Sequence, residues 1–133
     1  MSNNSENLRN FFLDLGFQIY KEEKFKSFGN YIIEACSPQL CARGESDRLI
    51  ESIEFRHVNE ADNWFDMNVI IAALGDEQKL VIGIGLDAEM QFVRRHFKDI
   101  VTLFADERYP DTKAMFEELQ LRRAKILFPR WYT

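Results

Sequence analysis

Histidine and cysteine are scarce in this chain, two of each among 133 residues, and that limits the chemistry it can carry. His57 and His96 stand far apart, and neither belongs to a His-x-x-x-His pair. Cys36 and Cys41 form no Cys-x-x-Cys and have no second pair, so the ligand spacing of the usual structural zinc sites is missing. Ser27, Ser37, Ser46 and Ser52 all lie outside a Gly-x-Ser-x-Gly elbow. Gly83-Ile84-Gly85 is a fragment of a phosphate-binding loop without its third glycine or a following Lys-Ser or Lys-Thr, and it reads as a turn. The longest apolar run, Val69 to Leu74, is far short of a membrane span. The opening Met-Ser-Asn-Asn-Ser-Glu has neither the basic start nor the apolar run of a signal peptide. These absences lead to the expectation of a cytoplasmic protein with no cofactor, no metal and no membrane contact. In a reducing compartment both thiols are expected free, although a bridge across a hairpin is geometrically open to them.

Apolar residues are plentiful. They make up 46% of the chain and include 12 phenylalanines, enough for a packed core without metal or disulfide. Residues 1–133 are expected to form a single domain. The net charge is −5, which repels phosphate backbones and makes nucleic acid a poor partner. The charge is uneven. Residues 45–66 hold seven acids against two bases, whereas Arg122, Arg123, Lys125 and Arg130 follow one another with no acid between them.

Periodicity gives the order of elements. Ser5 can cap a first helix carrying Leu8, Phe11, Phe12 and Leu15, with Gly16 as its stop. Phe17 to Tyr20 alternates, and Lys21-Glu22-Glu23-Lys24 reads as a charged turn, followed by another turn at Ser27-Phe28-Gly29-Asn30. Tyr31–Cys36 and Leu40–Arg43 read as strands, and Gly44-Glu45-Ser46-Asp47 as a turn. Leu49–Val58 is the clearest strand, with Ile53 and Phe55 on one face and Ser52, Glu54 and Arg56 on the other. Trp64–Leu74 reads as a helix; in residues 79–86 Val81, Ile82 and Ile84 favour a strand, but Gly83 and Gly85 weaken it, and the segment reads as a loop or a short lead into the next helix with the strand left open. From Asp87 the stripe Met90, Val93, Phe97, Ile100, Val101 and Phe104 marks the strongest helix. Tyr109-Pro110 breaks it. A last helix, capped at Asp111 or Thr112, turns Met115, Phe116, Leu119, Ile126 and Leu127 inwards. The expected fold is α+β: an N-terminal helix, an antiparallel meander of three to four strands, then three C-terminal helices packed on the sheet.

Two kinds of site can be drawn on this frame. Cys41 and His57, on neighbouring strands, could form a nucleophile–base pair, although strand cysteines are more often small buried apolar residues. Glu51 and Glu54 fall on opposite faces, so they make no acid–base pair. The acids of the middle segment can be a solvated sheet edge that deters aggregation. They can also be a binding surface for a basic protein, with Glu51, Glu54, Glu60, Asp62 and Asp66 as its charges. Trp64 would then be an anchor between Asp62 and Asp66, or else a core aromatic.

One set of segments resembles small bacterial immunity proteins of polymorphic and contact-dependent toxin systems. It comprises Leu-x-x-Phe-Phe-Leu-Asp-Leu-Gly-Phe (8–17), Ser-Phe-Gly-Asn-Tyr (27–31), Ser-Asp-Arg (46–48), the alternating strand 49–58 and Asn-Trp-Phe-Asp (63–66). The resemblance covers about the first 75 residues. It implies a non-enzymatic, cytoplasmic inhibitor that occludes a cognate toxin, often a nuclease with a basic cleft. Monomers are expected over dimers. A secretion chaperone or adaptor, usually dimeric, is the alternative, and a small Cys/His enzyme is the third reading.

Overall fold

The computed structural model describes residues 4–26 and 29–132, so Ser27 and Phe28 of the expected turn lie outside it. Among these residues, helix α1 (Asn4–Asp14) precedes five strands: β1 (Gln18–Lys24), β2 (Tyr31–Cys36), β3 (Leu40–Asp47), β4 (Ile50–His57) and the short β5 (Phe65–Asp66). Helices α2 (Met67–Ala73), α3 (Leu86–Leu103) and α4 (Tyr109–Leu127) follow. The strands lie in the order β1-β2-β3-β4-β5 and pair antiparallel throughout. The fold is therefore α+β with a five-stranded meander, more strands than the three to four expected.

Both additional strands hide behind composition. Lys21-Glu22-Glu23-Lys24 is not a turn but the end of β1, paired residue by residue with Glu34 to Tyr31. Charged side chains are what an edge strand carries to deter pairing with other chains. Phe65-Asp66 pairs with Phe55 and Glu54 before α2 begins, so the helix expected from Trp64 starts three residues later. Asp66 takes the N-cap, accepting from the Val69 N–H. Ser5 lies within α1 and not at its cap. Gly16 ends α1 as expected, at φ +91°, with the Phe17 N–H donating to the Phe12 carbonyl. Residues 79–86 form no strand; a 3-10 turn (Glu77–Leu80) and a loop lead into α3.

Alternation assigns the two faces of the sheet. Ile33, Ala35, Ala42, Ile53 and Phe55 point inwards and are fully buried. Leu8, Phe11 and Phe12 of α1 belong to the same core, as do Val93, Ile100 and Leu103 of α3. Gly44, expected in a turn, sits in the middle of β3 opposite Ile53. A Cβ there would come within 2.7 Å of Leu8 Cδ1 and 3.4 Å of its Cγ. The glycine serves close packing of α1 on the sheet and not chain reversal. The reversal comes later, at Arg48-Leu49, a two-residue turn with φ 53° and 71°. Positive φ at both positions is what I′ hairpin turns require, and it is adopted here without glycine. The Arg48 N–H donates to Asn30 Oδ1, which helps to hold it.

Helix α4 starts two to three residues before the expected cap, with Pro110 in its first turn. Phe116 packs on Phe65 at 4.6 Å, and Leu119 is buried. Ile126 and Leu127, expected inside, are more than half exposed. The apolar stripe continues in sequence, but the last turn of α4 has no neighbour to cover it among the described residues.

Candidate functional site

The six residues proposed as an acidic binding surface do not assemble into one. Glu51 projects from the inner-face row of β4 and accepts from Asn4 Nδ2 at 2.6 Å and Tyr31 Oη at 2.7 Å. Burial, and then that carboxylate, push the Tyr31 hydroxyl well above its ordinary pKa. Glu54 lies on the outer face, as its parity requires, and is bound by Arg43 at 2.6 Å from Nη2 and 3.0 Å from Nε. Arg56, two residues along on the same face, makes no ion pair with it. Arg56 instead donates to the carbonyls of His57 and Val58.

Asp66 receives both Nη atoms of Arg123 at 2.8 Å, a two-pronged pair that raises the Arg123 pKa. The carboxylate therefore holds α4 to the start of α2 while capping that helix. Trp64 is a partly buried platform: the Arg43 guanidinium lies 4.5 Å and the Arg56 guanidinium 5.2 Å from its ring. It is neither a core residue nor a free anchor.

Glu60 and Asp62 behave differently. Glu60 is paired with Lys113 at 2.8 Å, and this contact holds its carboxyl below the ordinary range. The pair ties the β4–β5 loop to the first turns of α4. A second tie is His57, whose Nε2 lies 2.9 Å from Asp106 Oδ1. The Asn59 N–H donates to Nδ1 of the same ring, so Nδ1 is unprotonated and the proton sits on Nε2, facing the carboxylate. The ring also stacks on Tyr109 at 4.4 Å. These contacts tie the loop that carries Glu60 and Asp62 to the stretch that carries Asp106 and Glu107 and to the first turns of α4, where Asp111 lies. Among the described residues, Asp62, Glu107 and Asp111 are exposed and make no ion pair. Other exposed carboxylates without an ion pair stand elsewhere among the described residues, at Glu6, Asp14, Asp47, Asp76, Asp87 and Glu117, and the exposed Arg108 lies between Glu107 and Asp111. The sequence shows Asp106-Glu107 and Asp111 as acids, but nothing in it signals that they meet a loop some 45 residues earlier.

The Cys41–His57 pair is not formed. In the β3–β4 register His57 faces Leu40, and Cys41 faces Arg56. Side chains alternate, so Cys41 and His57 project to opposite faces. Cys41 is also bonded to Cys36, its direct partner across the β2–β3 hairpin. The expectation of two free thiols is thereby overturned: antiparallel register brings the two Cα atoms to 4.0 Å. Among the described residues no group of three or more His, Cys, Asp or Glu is placed to hold a metal ion. No helix among them is long and apolar enough to cross a membrane.

The chain matches none of the family models, curated proteins or solved structures with which it was compared.

Proposed function

We propose that this chain is a non-enzymatic binding protein, an immunity protein that neutralises a basic protein toxin, with its acidic end as the contact surface. The observation that carries the reading is the tie that the His57–Asp106 and Lys113–Glu60 contacts make between the loop carrying Asp62 and the α3–α4 junction carrying Glu107 and Asp111. A surface whose charges are already paired gains little from a partner. Exposed, unpaired carboxylates on neighbouring segments complement a basic cleft and speed encounter with it. A nuclease cleft that binds phosphate would meet carboxylates in place of its substrate. The resemblance of residues 8–17, 27–31, 46–48, 49–58 and 63–66 to immunity proteins supports the same reading. The β3–β4 register, which puts Cys41 and His57 on opposite faces, leaves a small Cys/His enzyme without its pair.

A monomer acting one-to-one in the cytoplasm belongs to this reading. Co-expression with candidate basic toxins tests it. The expected result is restored growth, together with a 1:1 complex on size-exclusion chromatography that dissociates in high salt. A chain that protects against no toxin and runs as a concentration-independent dimer would favour a chaperone instead. Thiol labelling of whole cells, before and after reduction, tests the compartment.

A further inference from the structure

Every residue from Lys125 to Tyr132 is exposed. Six of these eight are apolar: Ile126, Leu127, Phe128, Pro129, Trp131 and Tyr132. Trp131 is 81% exposed, an unusual state for the largest apolar side chain. A 3-10 turn, Pro129–Trp131, follows α4, and Phe128, Trp131 and Tyr132 line an open hollow of about 340 Å³. Lys125 and Arg130 are the charges of the stretch, with no acid among its residues. Among the described residues neither makes an ion pair. The nearest acids along α4, Glu117 and Glu118, lie about two turns back, and Glu118 is within 3.6 Å of Arg122.

We propose that this stretch docks on an anionic bilayer surface, with its aromatic rings in the interface and Lys125 and Arg130 at the headgroups. Charge selects the sign of the occupant. Glu107 and Asp111 stand at the other end of α4, about 27 Å away along the helix. Salt screens exposed charges beyond about 8 Å, so the net charge of −5 does not cancel the local field at Lys125 and Arg130. The same cations disfavour a second copy, because a two-fold contact would set them against their own counterparts. Side-chain type selects the bilayer. Trp and Tyr join an apolar ring to one polar tip and settle at the level of lipid headgroups. Lys and Arg beside them are drawn to anionic lipid. No helix among the described residues is long and apolar enough to span a membrane, so the contact is with the surface and reversible. The proposal departs from the expectation of no membrane contact. It is independent of the toxin reading, which concerns the opposite end of α4.

Sedimentation of the full chain with vesicles tests it. One set of vesicles is phosphatidylcholine alone, and the other is phosphatidylcholine and phosphatidylglycerol in equal parts. The chain should bind the mixed vesicles, and bind phosphatidylcholine alone about tenfold more weakly or less. Added salt should narrow that difference. Phe128→Ala/Trp131→Ala should weaken binding to the mixed vesicles by about tenfold or more. Lys125→Gln/Arg130→Gln should weaken it by about tenfold as well, with little change on phosphatidylcholine alone. All four side chains are exposed, so both variants should unfold at the temperature of the parent. Brominated acyl chains should quench the fluorescence of the parent more than that of Trp131→Phe, which retains Trp64. No binding to the mixed vesicles, or equal binding by parent and variants, would overturn the proposal. Binding of single-stranded DNA or polyglutamate as tightly as the mixed vesicles would reduce the stretch to a general anion patch and overturn it too. A dimer that Phe128→Ala/Trp131→Ala dissociates in ultracentrifugation would give the surface to a second copy instead.

Discussion

Replacing Glu89 with glutamine exchanges one atom and removes one titration from the core. Glu89 projects from α3 onto β4 and is 5% exposed. Its Oε1 accepts the Ile53 N–H at 2.9 Å, on the side of β4 that the two-residue β5 does not reach. Burial pushes its pKa from 4.5 to about 7; the Ile53 N–H pulls it down, and the Asp66 and Glu54 carboxylates push it up. The raised value means that the folded chain holds a proton which the unfolded chain has released. Stability therefore falls as pH rises from about 4.5 to 7, and the loss is complete above that window. The difference corresponds to roughly 3 kcal/mol at pH 8. Glutamine keeps the carbonyl oxygen for Ile53 without the charge. Urea unfolding of both proteins at pH 5 and pH 8 isolates the effect, because all other titrations cancel in the comparison. Glu89→Gln should be nearly neutral at pH 5. At pH 8 it should raise the midpoint by roughly 1.5 M for a slope of about 2 kcal/mol per molar. A gain that is the same at both pH values, or a loss at pH 8, would refute the reasoning.

Other substitutions test the fold. Gly44→Ala forces a methyl against Leu8 and should cost about 1–3 kcal/mol in chemical unfolding. The cost should shrink in a Leu8→Ala background, because the two residues share one contact. Leu49→Gly relieves a positive φ at an exposed position and should raise stability by about 0.5–1 kcal/mol in the same assay. Arg123→Ala leaves Asp66 without its two-pronged partner and should cost about 1–2 kcal/mol in the same assay.

Elements with a strong period were legible in the sequence. Leu8, Phe11 and Phe12 repeat at helical spacing, and all three are buried. Ile53 and Phe55 alternate with Ser52 and Glu54, and β4 places them on opposite faces. What stayed hidden depended on neighbours distant in sequence. Lys21 to Lys24 carries the composition of a turn, and only pairing with β2 makes it a strand. Gly44 has the composition of a turn as well, yet the reason for it is Leu8, 36 residues earlier. The outward end of α4 looks amphipathic through Leu127, but periodicity cannot say where the body of the protein stops. The same limit applied to the site. Seven acids in residues 45–66 suggested one charged surface. Their partners Arg43, Lys113 and Arg123 come from β3 and α4, so the fold neutralises much of the segment and leaves unpaired carboxylates at the α3–α4 connection. A cysteine pair five residues apart was visible, but its pairing follows from the hairpin register.

The central claim is that the acidic end is a contact surface for a basic protein. The most direct measurement is the affinity of the chain and of its Asp62→Lys/Glu107→Lys variant for the toxin recovered by co-expression, each across a salt series. Neither residue is buried or ion-paired, so the variant should unfold at the same temperature as the parent. Affinity should fall by about a hundredfold or more in the variant, and the salt dependence should flatten with it. Equal affinity and an equal salt slope in the two proteins would contradict it.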